Sequence, residues 1–363
     1  MTEYLQHMIN MLILGSTYAL LGIGLTLIFG IMRIVNFAHG ELYAFGAYFV
    51  YFVAVLLGFN FFLSLLFAIL AGCLLGALIE VALLRPMRGA DIDTTMLIMI
   101  GAMIVMQNTE QYVWGGVAKS VSTPFPETPL VIGDFSVSWL RLFVFFAALA
   151  LIAAAYFLIN RTKLGKAMRA TFQDRDTAAL MGVNIQAIYM ATFAIGSSLA
   201  AAAGALLGPV YVVSPQMGNI ASLKAFAIVI LGGLGSIGGA TIGGFILAFA
   251  EEMGAGYVSS GYRDAMGFLL IIAVLLFKPT GLLRARSGSD EAVSSLDRAA
   301  RDGVGPDVAQ GSLSSQCLCH HRNIHHRGDE PQSAAGLYGT AQPWPRRFLR
   351  DRRLHQRAGC ARL

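Results

Sequence analysis

The feature that most constrains this chain is a succession of apolar runs, each long enough to cross a bilayer, several of them closed by basic residues. A hydrocarbon core of about 30 Å calls for about 20 apolar residues per helix. In lipid the backbone must satisfy its own hydrogen bonds, so such runs fold as helices. The first run covers residues 8–30 and ends at Arg33. The next cover 41–57 and 61–84, the latter stopping at Arg85-Pro86-Met87-Arg88. A fourth covers 94–114 and carries Gln107, Asn108 and Glu110, which cannot face lipid cheaply. A fifth, 139–159, opens on Trp139 and closes on Arg161-Thr162-Lys163, and a sixth covers 186–207.

Lys and Arg mark cytoplasmic ends. Arg33 is then inside and the N-terminus outside. No Lys or Arg precedes the first run, so it is expected to be a retained span and not a cleaved signal. Residues 115–138, with Pro124, Pro126 and Pro129 and a single Lys, read as an outer loop. Only 13% of residues are charged, against roughly 25% in soluble domains, which excludes a soluble globular protein. The net charge of +5 would suit nucleic acid, but the basic residues sit at the ends of apolar runs and not in one patch, so lipid is the expected partner and nucleic acid is not.

Residues 208–223, with Pro209 and Pro215, read as an outer break. For Lys278 and Arg284 to lie inside, residues 224–255 must cross twice or re-enter before the run at 266–277. Nine crossings satisfy the charge rule and eight satisfy simple hydropathy, with nine preferred. The expected fold is an all-α polytopic membrane protein with broken, glycine-rich segments.

Between the fifth and sixth runs lies a basic island, residues 161–184. Bundle connections are usually about 2–8 residues long. This one is longer and carries helix signals. Asp174 is placed to cap a short helix over 175–181, with Gly182 just past its end. Residues 165–172 can continue the fifth span beyond the membrane. Ala167, Ala170 and Ala178 recur at helical spacing and suit a packed surface. The competing reading is an ordinary basic loop.

Gly233-Leu234-Gly235-Ser236-Ile237-Gly238 is a literal G-x-G-x-x-G, but it lacks the soluble βαβ frame and the later acidic residue of a dinucleotide site. Gly235, Gly239 and Gly243, like Gly204/Gly208 and Gly72/Gly76, have the four-residue spacing that lets membrane helices approach closely. The run from Gly232 can equally be a break that lines a cavity. In Asn36-Phe37-Ala38-His39-Gly40-Glu41, Asn36 and Gly40 suit a tight turn re-entering the membrane, and His39 and Glu41 leave a proton relay open. Asn36, His39, Glu41, Gly232, Gly233, Gly235, Ser236 and Gly239 are therefore the candidate substrate pathway. Glu80, Glu251 and Glu252 fall near span ends, where snorkelling or capping explains them. No nucleophile–base pair, metal set or cofactor motif appears in residues 1–287, and no G-x-x-x-x-G-K-[ST] P-loop occurs anywhere.

Three blocks carry a family resemblance: GLTLIFGIMRIVNFAHGELYAFGAY (24–48), LGKAMRATFQDRDTAALMGVN (164–184) and KAFAIVILGGLGSIGGATIGG (224–244), followed by KPTGLL (278–283). In this order they resemble the bacterial branched-chain amino acid ABC transporter permeases, a family that extends to urea and short-amide permeases. The resemblance implies an inner-membrane transport subunit, not an enzyme. It pairs with a second homologous permease, is driven by two cytoplasmic ATP-binding subunits, and is supplied by a periplasmic substrate-binding protein. It also implies that 161–184 is the cytoplasmic coupling loop, with Gly165, Arg169, Ala170, Asp174, Asp176, Ala178, Ala179 and Gly182 as its contact set. A proton-coupled secondary transporter and a passive channel for urea-like solutes are the rival classes.

Residues 288–363 differ from the rest. They hold five of the seven His, three of the four Cys, eleven Arg and no Lys. Cys317, Cys319, His320 and His321 look metal-like, but C-x-C spacing fits a zinc site poorly. The expectation is a permease domain over 1–287 and a disordered tail translated out of frame.

Overall fold

The computed structural model describes residues 2–126, 128–132, 135–257, 259–277 and 281, which fall within one compact unit ending at Arg286. The tail, with its Cys and His, lies outside the described residues. The described part is almost wholly helical. Its helices are α1 (Thr2–Met32), α2 (His39–Tyr51), α3 (Phe61–Ile79), α4 (Ile92–Trp114), α5 (Trp139–Arg161), α6 (Lys163–Gln173), α7 (Arg175–Leu180), α8 (Ile185–Leu207), α9 (Met217–Gly232), α10 (Ile237–Tyr257) and α11 (Arg263–Phe277). α2 and α3 each run on through a π-helical turn, to Leu56 and Leu84.

Among the described residues, six helical stretches are long and apolar enough to span a membrane: Gln6–Met32, His39–Leu56, Phe61–Leu84, Ile92–Trp114, Trp139–Arg161 and Ile185–Leu207. α9 and α10 meet at a bend of 118° and qualify only as a broken pair, which brings the number to seven. The expected eight or nine crossings are not reached by length and composition. α9 has 16 residues and α11 has 15, so at about 1.5 Å per residue each is shorter than the hydrocarbon core.

The core forms around α1 and α8, whose apolar windows are 89% and 78% buried, whereas those of α3, α4 and α5 are 28%, 11% and 22% buried. No hydrophobic drive separates helix from lipid, so close backbone approach must hold the centre together. The glycines supply it. Gly72 and Gly76 of α3 seat Ala201 and Ser197 of α8, and Gly204 of α8 admits the Tyr43 backbone of α2. On the peripheral α4, Asn108 faces outward and satisfies itself by donating to the Ile104 carbonyl at 2.7 Å, so it is not the buried group its polarity suggested.

Two further expectations are corrected. The break at 208–223 is shorter: α9 starts at Met217, and its first turns pack against α2 through Gly218 and Ser222. Prolines 209 and 215 end before that helix begins, so the break signal did not extend as far as Leu223. Residues 165–172 do not prolong the fifth span. The chain turns extended at Thr162 (φ −89°, ψ 160°), whose hydroxyl accepts from Gly165 N at 3.0 Å and so caps a new helix. The connection before α5 carries a small antiparallel hairpin, β1 (Leu130–Ile132) with β2 (Phe135–Val137), and a Lys119–Val213 bridge ties it to the segment after α8.

Candidate functional site

The basic island folds as two short helices laid against the ends of α1 and α8. Asp174 caps α7 as its position suggested. Its carboxylate accepts from Asp176 N at 2.9 Å, from Thr177 N at 3.1 Å and from the Thr177 hydroxyl at 2.5 Å. The Thr177 hydroxyl bond, followed by that residue's N–H, holds the Asp174 carboxyl below the usual Asp value. Gly182 (φ +86°) closes the helix, with its N–H on the Ala179 carbonyl and Val183 N–H on that of Ala178.

α6 is held from beneath. A side chain on Gly165 would strike the carbonyls of Leu158 and Ile159, so glycine is what lets the chain double back. Arg169 donates to Asn160 Oδ1 at 2.8 Å. Met168 is buried in a cluster with Ile31, Ile188 and Tyr189, and the Arg88 and Arg175 guanidinium carbons stand 5.2 and 5.8 Å from the Tyr189 ring centre. Of the eight expected contact residues, Gly165 and Ala178 are buried and Ala170 half-buried; Arg169, Asp174, Asp176, Ala179 and Gly182 are exposed. The exposed face includes two residues the sequence reading passed over, Leu180 (87% exposed) and Met181 (81%). Two bare apolar side chains on a polar hairpin were the signal available to find them.

The second element is the glycine turn between α9 and α10. Gly233 (φ +92°) and Gly235 (φ +83°) take backbone angles that L side chains resist, and Ser236 Oγ starts α10 by accepting from Gly239 N at 3.1 Å. Gly232 and Gly239 touch backbone to backbone. This turn meets the basic island. A β-carbon placed on Gly30 would stand 3.4 Å from Gly235 Cα and 3.4 Å from the Phe172 ring; one on Gly235 would stand 3.0 Å from that ring. Phe172 of α6, although 38% exposed, thus sets its ring against the junction of α1 with the α9–α10 turn.

The third element is the break between α1 and α2. Arg33 ends α1 in a left-handed conformation (φ 55°). Asn36 Oδ1 accepts from Ala38 N at 3.1 Å, forming the expected tight turn, and α2 then starts deep inside the bundle. His39 Nε2 lies 3.1 Å from the Leu21 carbonyl, halfway along α1. Gly40 N donates to Ser222 Oγ at 3.0 Å, and that hydroxyl donates to the Phe37 carbonyl at 3.1 Å, locking the break onto α9. Asn36, His39 and Glu41 are fully buried. Among the described residues, the Glu41 and Glu110 carboxylates have no hydrogen-bond partner. The expected pathway set is therefore spread along α1. His39 lies at the level of Leu21 and Gly24, whereas Gly235 lies against Gly30, about 14 Å further along α1 than Leu21, and Gly232 and Gly239 sit between them beside Ala240, which approaches Gly22.

Toward the opposite end a cavity of about 260 Å³ opens between α1, α8, α9 and α11, with Leu21 on its wall. Lys224 Nζ lies 2.7 Å from Tyr18 OH, 2.9 Å from Glu251 Oε2 and 3.0 Å from Asp264 Oδ1. Tyr18 OH in turn donates to Glu251 at 2.8 Å. Glu252 accepts from Asn10 and Arg263 and lies 3.3 Å from His7 Nδ1. Glu80 pairs with Arg88 near the basic end. The carboxylates read as snorkelling or capping groups are thus buried ion-pair partners. Lys224 went unnoticed although a lone cation inside an apolar stretch is the signal for such a site. No group of His, Cys, Asp and Glu among the described residues is arranged to hold a metal ion.

Comparison with known proteins fits this geometry. Residues 7–275 match the family described as branched-chain amino acid transport system / permease component. The chain is 37% identical to the high-affinity branched-chain amino acid transport system permease protein BraD of Pseudomonas aeruginosa, over 77% of this chain and 96% of BraD. It is 35% identical to the corresponding protein LivH of Escherichia coli K12, over 77% of this chain and 95% of LivH. A probable LivH of Methanocaldococcus jannaschii is 26% identical over 75% of this chain and 90% of that protein. No solved structure gives a significant match. With several membrane-length helices and similarity that spans nearly the whole of BraD and LivH, the chain is a multi-pass membrane protein and belongs to the branched-chain amino acid transport system permease family.

Proposed function

We propose that this chain is the membrane-spanning permease subunit of an ATP-driven importer that carries branched-chain amino acids across a bacterial inner membrane. The observation that carries the mechanism is the packed route from exposed α7 through Phe172 to the Gly235 turn. A cytoplasmic ATP-binding subunit grips the α7 face at Leu180 and Met181. Its closure tilts α6, and Phe172 passes that movement to the junction of α1, α9 and α10. The motor must favour one pore state over the other, since a partner that binds both equally shifts nothing. ATP hydrolysis sits on that separate subunit, in keeping with the lack of a P-loop here.

The substrate class rests on the names of BraD and LivH, whose lengths this chain covers almost entirely. A periplasmic binding protein delivers the amino acid to the end that carries the 260 Å³ cavity. A second permease pairs with this one, and the sparsely buried α4, with Asn108 and Thr109 facing outward, suits that contact. Residues 288–363 are no part of the permease and arise from a lost reading frame; recovery of a peptide from 340–363 by mass spectrometry would sink that idea.

The test is uptake of labelled leucine by vesicles holding the complete transporter and its binding protein. Uptake should require ATP inside the vesicle. Uptake by this chain alone, or by the complex with a proton gradient and no ATP, would contradict the proposal.

A further inference from the structure

The cavity near Lys224 carries more chemistry than a water-filled vestibule needs. An ammonium has three N–H donors. Those of Lys224 meet Tyr18, Glu251 and Asp264. These acceptors are not equivalent. The Glu251 side chain is 1% exposed and Tyr18 is buried, while the Asp264 side chain is 51% exposed at the start of α11. Only Asp264 can leave Lys224 for a water-facing position without stranding a buried group. Leu14, Leu21, Leu207 and Ile220 make one side of the cavity wall apolar, while Tyr43, Tyr211 and Arg263, the last paired with Glu252, stand on the polar side with the pair.

We propose that the Lys224–Asp264 pair is an exchangeable clasp for the α-amino and α-carboxyl groups of an aliphatic amino acid. The ligand carboxylate takes the place of Asp264 on Lys224, and the released Asp264 accepts the ligand ammonium. Lys224 keeps Glu251 and Tyr18, so its buried partners stay satisfied. One ion pair becomes two, and the net charge of the cavity does not change. The aliphatic side chain lies against the apolar wall.

A solute with one charge fits less well. An anion would displace Asp264 and leave it without an unpaired cation, since Arg263 on the same wall already holds Glu252; an amine would take Asp264 and leave Lys224 one acceptor short. A neutral amide or urea has no charge to exchange. The clasp therefore selects a zwitterion, and it rests on the reading of this chain as an amino acid permease.

The test is ATP-dependent leucine uptake by the complete transporter in vesicles, comparing wild type, Asp264→Asn, Asp264→Glu and Ile220→Trp. Asp264→Asn removes one charge-assisted hydrogen bond to the ligand and should lower uptake about tenfold or more. Asp264→Glu should restore part of it, and Ile220→Trp, which fills the apolar side, should also lower it. Size-exclusion profiles and retention of the ATP-binding subunits should match wild type, because both positions are about half exposed. Wild-type uptake in both Asp264→Asn and Ile220→Trp overturns the clasp and leaves the permease reading standing. No leucine uptake by wild type overturns both.

Discussion

The two ends of this bundle handle polarity in opposite ways. On the basic island it is local and exposed, although Arg88 nearby pairs with the buried Glu80. Asp174 caps its own helix within three residues, Thr162 caps α6 three residues on, and Leu180 and Met181 stand bare beside them. At the other end it is long-range and buried. Tyr18 reaches Lys224 across 206 positions and Glu251 across 233. A module whose polar groups are satisfied locally can be gripped and shifted without unpairing buried polar groups, while Met168 and Phe172 keep it in touch with the core. A buried network spanning four helices fixes positions, and within it only Asp264 is free to exchange. The first suits coupling to a motor and the second suits holding a ligand.

The contrast breaks most visibly if the buried network tolerates truncation. Lys224→Leu leaves Glu251 buried without its cation and should cost about 3–5 kcal/mol, seen as loss of monodisperse protein on size exclusion. An undiminished yield would mean the network is ornamental. Gly40→Val tests the packing between the two ends. The new side chain meets the Gly218 carbonyl and Ser222. Overpacking of this kind costs about 1–3 kcal/mol, and a thermal melt of the purified transporter should shift down accordingly.

At the basic end the effects move from stability to assembly. Leu180→Asp changes an exposed side chain, so stability should stay within about 0.5 kcal/mol of wild type. Pull-down of the ATP-binding subunits should nevertheless weaken; full retention would place their docking elsewhere. The smallest expected effect concerns acid. The Asp174 carboxyl titrates lower in the folded chain than its ordinary value of 3.8. Its contribution to α7 is therefore complete above that value and is lost as pH falls through the lower folded one. Amide exchange at Asp176 and Thr177 should stay protected from neutral pH down to about pH 4 and rise only below it. Asp174→Ala should show the raised exchange at every pH.

The same contrast explains what could be read from the sequence. The span Phe61–Leu84, the Asp174 cap and the Gly182 stop are set by neighbouring residues, and all three were legible. The Asn36 turn was legible for the same reason. The Lys224 cluster was not, because its members become neighbours only after α1, α9, α10 and α11 have packed. The failure over 208–223 has a similar cause: Gly218 and Ser222 make an interface with α2 that no local signal announces. Phe172 closed the stretch 165–172 expected to prolong the fifth span, and only the fold places it against Gly30 and Gly235.

That contact is where the coupling proposal is most exposed to test. Phe172→Ala removes the ring while leaving the α7 face and the Asp174 cap intact. The decisive measurement is ATP hydrolysed per leucine imported by the complete transporter in vesicles. The coupling route predicts hydrolysis within about twofold of wild type and uptake reduced about tenfold, so the ratio rises several-fold. An unchanged ratio would contradict it, and the link between motor and glycine turn would have to run through other residues.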